Sequence, residues 1–155
     1  MYEQQKKRIL ELLKRDEANG NYENNYWFSY KDFLDPADGF TAFSCENLDG
    51  KEGNLAIIEN LLHKDESAKI FVQVYGLEED NREPFIYADT LIIFSRLPLI
   101  EIKEIFYEPE ERFPSDIGEA ADFSKHTFLV DDNGNLLPIT VLFDDSYSVY
   151  YCWWD

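Results

Sequence analysis

Apolar and polar residues alternate along this chain with two different periods. Between residues 3 and 18, Ile9, Leu10, Leu12 and Leu13 gather on one side of a helix, with Lys6, Lys7, Glu11 and Lys14 around them. Asn19-Gly20 stops that helix. From about 52 to 64, Leu55, Ile58, Leu61 and Leu62 step by three, three and one, which predicts a second helix resting one stripe on a core. Pro98 opens a third, to about residue 107, with Leu99, Ile102, Ile105 and Phe106 on its apolar face. Pro109 and the acids Glu108, Glu110 and Glu111 end it.

Elsewhere the period is two. Tyr26, Phe28 and Tyr30 alternate with polar neighbours, and after turns at Asp35-Pro36 and Asp38-Gly39 come Phe40, Ala42 and Phe43, which read as short strands or irregular chain. Ile70, Val72 and Val74 alternate with Phe71, Gln73 and Tyr75 up to Gly76. A polar loop from Glu78 to Glu83 then leads to a strand from about Ile86 to Phe94, and the two strands can pair as a hairpin.

The last third, about 127–154, reads as antiparallel strands. Thr127 to Val130 is followed by a turn over Asp131 to Asn135, where Asn133-Gly134 is a strong hairpin signal, and by a second strand running to Phe143. Asp144-Asp145 turns the chain into a third strand, Tyr147 to Trp154. Leu137, Ile139, Val141 and Phe143 share a face with Tyr147, Val149, Tyr151 and Trp153, so these odd positions are the expected core side. The even positions Ser148, Tyr150, Cys152 and Trp154 are half apolar and are expected to meet a helix or a partner. No repeat, linker or low-complexity tract divides the chain. The expectation is one α+β domain over 1–155: a mainly antiparallel sheet of about five or six strands with about three helices packed on one face, a single layer pair.

Composition narrows the class. With 45% hydrophobic and 16% aromatic residues in 155, the chain has too much apolar surface for a solvating acidic tail, and a chain of this length buries roughly 70% of its extended surface without a metal or disulfide staple. The longest apolar runs, such as Leu91 to Phe94 and Tyr147 to Trp154, fall short of the ~20 residues that cross a bilayer. The first twenty residues lack the apolar stretch of a signal peptide, so a cytoplasmic protein is expected. Cys45 and Cys152 stand 107 positions apart with no Cys-x-x-Cys spacing, which fits a reducing compartment.

Charge changes the picture most. Fourteen Lys and Arg against 32 Asp and Glu leave a net charge of −18, well beyond the magnitude of about 2–8 that serves solubility. Such a field attracts basic partners and repels phosphates and anionic headgroups, so neither direct nucleic-acid binding nor a membrane partner is expected. The layout is uneven: residues 1–15 hold Lys6, Lys7, Arg8, Lys14 and Arg15 against Glu3 and Glu11, whereas beyond Lys125 there is no Lys or Arg at all.

Asp131, Asn133 and Asn135 have the odd spacing of a calcium loop, but Leu136 and Leu142 stand where its glycine and closing glutamate belong. His63 and His126 belong to no zinc motif and read as surface residues at element ends. There is no Gly-x-Ser-x-Gly elbow, no Gly-x-Gly phosphate loop and no basic neighbour to activate a cysteine, so no cofactor is expected. Asp89 with Glu101-Ile102-Lys103 matches the Asp…Glu-x-Lys pattern of metal nucleases. That chemistry needs Glu101 and Lys103 on one face of a strand, whereas Pro98 and the apolar spacing argue a helix, on which i and i+2 diverge.

Tyr87 to Phe94, Leu97 to Phe106, Phe113 to Glu119 and the terminal Trp153-Trp154-Asp155 resemble small acidic α+β immunity proteins of bacterial polymorphic and contact-dependent inhibition systems, over roughly the last two-thirds of the chain. The resemblance implies a non-enzymatic inhibitor that neutralises a basic, nuclease-type toxin by direct binding, and it carries over no individual binding residue. The candidate partner residues come from charge and aromatic content: Glu108, Glu110, Glu111, Asp116 and Glu119 in one acidic run, and Asp144, Asp145, Tyr150, Trp154 and Asp155 in another. An acidic inhibitor or nucleic-acid mimic directed at another machine, and an enzyme whose site is assembled from scattered acids, are the alternatives.

Overall fold

In the computed structural model, residues 2–21, 23–44, 50–74, 78–79, 84–109 and 113–155 are described. The three expected helices form as α1 (Tyr2–Asn19), α3 (Lys51–Lys64) and α4 (Leu99–Tyr107), and Pro98 stands at the N-cap of α4. A single helical turn, α2 (Tyr30–Phe33), follows β1 (Asn25–Ser29) and precedes β2 (Thr41–Phe43). Downstream come β3 (Lys69–Val74), β4 (Glu78–Glu79), β5 (Pro84–Ala88) and β6 (Thr90–Ser95). After α4 follow β7 (Asp116–Glu119), β8 (Thr127–Val130), β9 (Leu136–Pro138) and β10 (Ser148–Trp153).

Seven strands make one sheet in the order β7-β10-β6-β3-β1-β8-β9, and β2-β5-β4 make a small second one. Pairing in the large sheet is antiparallel except between β1 and β8. The α+β class holds, with more strands than expected. β6 lies near the middle and every one of its residues is buried, which is why it reads as an apolar run instead of an alternation.

Register assigns the two faces of the sheet. Tyr26, Phe28, Ile70, Val72, Val74, Leu91, Ile93, Tyr150 and Cys152 join one cluster with Ile9, Leu12 and Leu13 of α1, Ile57, Ile58 and Leu61 of α3, and Ile102, Ile105 and Phe106 of α4. The helices therefore cover one face, as expected. On the opposite face Trp27, Phe71, Ile92 and Phe94 pack with Ile139 and Leu142, and Phe123, Tyr147, Val149 and Tyr151 complete the cluster. This second layer was not foreseen.

Four expectations are corrected. The strand expected from Ile86 to Phe94 is two strands, parted at Asp89, whose carbonyl accepts the Trp154 N–H (3.0 Å); β5 joins β2 while β6 pairs β3 and β10. Glu78 and Glu79, expected in a loop, pair with Phe85 and Pro84. The strand expected to reach Phe143 stops at Pro138, which has no N–H for a ladder, and Ile139–Leu142 coil into a 3-10 turn. Side-chain parity is lost there: Ile139 and Leu142 are buried while Val141 and Phe143 are exposed. On β10 the even residues Tyr150 and Cys152 meet the helices, one of the two alternatives for that face, and of the odd residues expected in the core Tyr147, Val149 and Tyr151 pack on the second layer while Trp153 is exposed. Tyr75, Gly76 and Cys45, used in the sequence argument, lie outside the described residues.

Candidate partner-binding surface

The acidic candidates collect at one edge of the sheet and in one cleft. β7 is an edge strand, paired with β10 so that Asp116 stands opposite Trp153 and Glu119 opposite Tyr150. Gly118 sits against the Tyr151 ring: a Cβ there would lie 2.8 Å from Tyr151 Oη, so any other residue would displace the ring from this position. The Tyr151 hydroxyl donates to Asp116 Oδ2 (2.6 Å), and that carboxylate acceptor pushes the phenol pKa up. The chain end is tied to the same edge, since Ser115 N–H donates to the Trp153 carbonyl (2.8 Å) and Asp155 N–H to Ser115 Oγ (2.9 Å).

Aromatic surface lies among these acids. The rings of Tyr107, at the end of α4, and Phe113 are 6.0 Å apart, and both residues are exposed, as is Trp153. Asp116, Glu119 and Asp155, all exposed, stand on this edge with Trp153, and exposed Glu108 follows Tyr107 at the end of α4. Glu110 and Glu111 lie outside the described residues.

Asp144 and Asp145 open the turn before β10 and line a cleft of about 620 Å³ on the second face, together with Phe94, Phe143, Tyr147 and Val149. Asp144 Oδ1 accepts from Ser146 N–H (2.9 Å) and Ser146 Oγ (3.0 Å), which holds its carboxyl below the usual carboxylate range; Arg96 and Lys69 act in the same direction. Those two cations lie over the Tyr147 ring, Arg96 Cζ at 5.3 Å and Lys69 Nζ at 5.4 Å from its centroid. Phe143 stacks on Phe94 (5.9 Å) and Phe123 (5.7 Å) yet stays 45% exposed.

Tyr150 and Trp154, expected as partner contacts, are 2% and 6% exposed. The Tyr150 hydroxyl donates to the Leu97 carbonyl (2.7 Å), and Trp154 meets Phe43 and Phe106 edge-on at 5.3 and 6.2 Å. Both are core residues. Among the described residues Trp153 and Phe143, expected on the core side, face solvent, as do Tyr107 and Phe113. For Val141 and Phe143 the available signal is Pro138, because a proline that ends β9 also ends the odd-even inference drawn through it.

The remaining candidates are separated or engaged elsewhere. Glu101 and Lys103 lie on α4, two residues apart on a helix, and Asp89 lies between β5 and β6. Asp131 Oδ1 accepts from the Asn135 and Asn133 N–H groups (2.8 and 2.9 Å), and these bonds lower its pKa, Asn135 most. His63 is exposed in the last turn of α3, and His126, just before β8, is 3.2 Å from Glu23. Among the described residues no group of three or more His, Cys, Asp or Glu is placed to hold a metal ion, and no helix is long and apolar enough to cross a membrane. Burial pushes the Cys152 thiol well up, which leaves it a poor nucleophile. Comparison with protein-family models, curated proteins and solved structures finds no match to the chain.

Proposed function

We propose that this is a non-enzymatic acidic binding protein whose partner is a basic protein, acting as an immunity-type inhibitor of a nuclease-like bacterial toxin. The observation that carries the reading is the β7 edge, where exposed Trp153 stands opposite exposed Asp116 and exposed Asp155 is tied to Ser115, with Phe113 exposed two residues upstream of Ser115 and 6.0 Å from the exposed Tyr107 ring. Exposed rings supply contact area and a hydrogen-bonding tip, and tyrosine and tryptophan are enriched where interfaces concentrate their energy. The carboxylates and the net charge of −18 supply long-range attraction, which raises association toward the order of 10⁸–10⁹ M⁻¹s⁻¹ for a basic partner. A nuclease presents such a basic surface because it must hold phosphates. The resemblance of Tyr87–Phe94, Leu97–Phe106 and Phe113–Glu119 to immunity proteins points the same way.

The test is protection. Cells making this protein are expected to survive induction of a basic toxin domain encoded beside its gene, and the two purified chains to form a stable complex that nucleic acid competes for. Equal killing with and without the protein, or capture of partners that carry no basic surface, would refute the reading. Purified protein incubated with magnesium or manganese and DNA or RNA is expected to leave both intact; cleavage abolished by Asp89→Ala would move the protein to the enzymes.

A further inference from the structure

The cleft before β10 has a chemistry distinct from the β7 edge. It is lined by Phe94, Phe143, Tyr147 and Val149 together with Asp144 and Asp145. About 620 Å³ lies within the ~300–1,000 Å³ of small-molecule sites, enough for a side chain together with the peptide that carries it. Phe143 is stacked from inside by Phe94 and Phe123 and is 45% exposed, so the ring is held in place while presenting surface to solvent. Asp145 makes no hydrogen bond or ion pair among the described residues, and the Ser146 bonds to Asp144 use only Oδ1.

Two of the protein's own cations share this cleft. Lys69 and Arg96 stand over the Tyr147 ring and offset the Asp144 carboxylate, leaving the Phe143 surface and the Asp145 carboxylate as the groups a visitor meets. A flat group that stacks on a ring and forks onto a carboxylate fits this set better than a point charge does, and a guanidinium is such a group. An anionic visitor would meet the unpaired Asp145 carboxylate within a field of net charge −18.

We propose that this cleft seats an arginine side chain of the basic partner, its guanidinium stacked on Phe143 and bonded to Asp145. The site deepens the reading of a basic partner and rests on it. The experiment is an NMR titration of the full chain with Nα-acetyl-arginine amide, against the citrulline analogue, which has the same shape and no charge. Arginine amide is expected to shift resonances of residues 143–149 with a Kd of about 1 mM, a reasonable affinity for so small a ligand. Citrulline amide, and arginine amide with Asp145→Asn, are expected to bind about tenfold more weakly. Asp145 is exposed and unbonded, so its replacement leaves the fold intact, which a thermal melt checks. Equal binding of arginine and citrulline, or shifts spread over the acidic surface and unchanged by Asp145→Asn, would overturn the proposal. Because the probe is the amino-acid derivative itself, failure here is distinct from failure of protection: a protein that protects cells but does not bind arginine at the cleft loses only this site.

Discussion

Trp153 and Trp154 are neighbours in sequence with opposite environments, and replacing each by alanine separates their roles. Trp154 is 6% exposed, wedged edge-on between Phe43 and Phe106 under the helices. Removing a buried indole costs about 3–5 kcal/mol, from lost transfer energy and the cavity left behind. The backbone bond from Trp154 N–H to the Asp89 carbonyl survives in the variant, so the cost is that of packing. Trp153 is 38% exposed on the other face, and Trp153→Ala should cost about 1 kcal/mol. In urea, with a slope of about 2 kcal/mol per molar, Trp154→Ala should lower the unfolding midpoint by about 2 M and Trp153→Ala by about 0.5 M. Partner affinity, measured well below either midpoint, should move the opposite way, with Trp153→Ala weakening it and Trp154→Ala acting only through the unfolded fraction. Equal midpoint shifts, or a larger one for Trp153→Ala, would refute the assignment of faces.

Asp65 caps the end of α3 and accepts from Ser67 N–H and Oγ, Ser95 Oγ and Arg96 N–H. Burial pushes its pKa up, but the bonds from Ser67, Arg96 and Ser95 outweigh it and hold the carboxyl below its usual value of 3.8. Its contribution is therefore present above that value and lost as pH falls through the lower folded pKa; Asp65→Ala should cost about 1 kcal/mol at neutral pH and flatten the acid limb of a urea-midpoint series. Tyr26 is the alkaline counterpart: burial first, then its hydrogen bond to Asp16, raises its pKa from 10.0 to about 12. Stability should fall between those pH values as the unfolded phenol ionises and the folded one does not, and Tyr26→Phe should remove that slope along with one late-titrating tyrosine in the absorbance of tyrosinate. Stopped-flow association with the partner should slow markedly between low and ~0.15 M salt, where the screening length falls to about 8 Å, while dissociation changes less. Glu108→Gln with Glu119→Gln should slow association further, and a rate indifferent to both salt and these changes would return the charge to solubility.

The helices were legible because their signals are local. Leu55, Ile58 and Leu61, or Ile102, Ile105 and Phe106, fix a stripe within three turns, and Pro98 and Gly20 mark ends by removing a donor or admitting φ near +71°. Strand existence was legible too, from the alternation in β3 and the turn before β9. What could not be read was which sheet a strand joins. Nothing local to Asp89 tells that β5 leaves for β2 and β6 enters the center of the large sheet, because that choice is made by partners more than 40 residues away in β2 and β10.

The partner residues failed for a related reason. An alternating strand names two faces and not which is inside; with apolar residues on both faces of β10, parity alone could not choose, and Tyr150 and Trp154 went to the wrong side. The acids, by contrast, declare exposure by their cost of burial, and Glu108, Asp116, Glu119, Asp144, Asp145 and Asp155 are all exposed.

The folded chain also redistributes its few cations. Arg8, on the one basic helix, donates to the carbonyls of Asp131 (3.2 Å) and Asp132 (2.6 Å), so α1 is pinned across the β8–β9 turn. Lys51 is fully buried, with Nζ 2.5 Å from the Asp38 carbonyl. Lys69 and Arg96 lie over Tyr147. Four of the 14 basic side chains are thereby committed to holding the fold, and none of the four lies on the β7 edge. A chain that needed its acidity only for solubility could scatter its cations anywhere on the surface. Here folding holds Arg8 and Lys51 on carbonyls away from the edge where Trp153 stands opposite Asp116, and beyond Lys125 the sequence supplies no Lys or Arg to offset Asp144, Asp145 and Asp155. The field at that edge is therefore a consequence of the fold as well as of composition, and it should survive substitutions that lower the total charge elsewhere. Converting three exposed acids of α1 and α3, Glu11, Glu52 and Glu59, to glutamine reduces the net charge by three units but should slow association with a basic partner less than the two changes at Glu108 and Glu119. If rate follows total charge alone, regardless of position, the edge has no special part in steering.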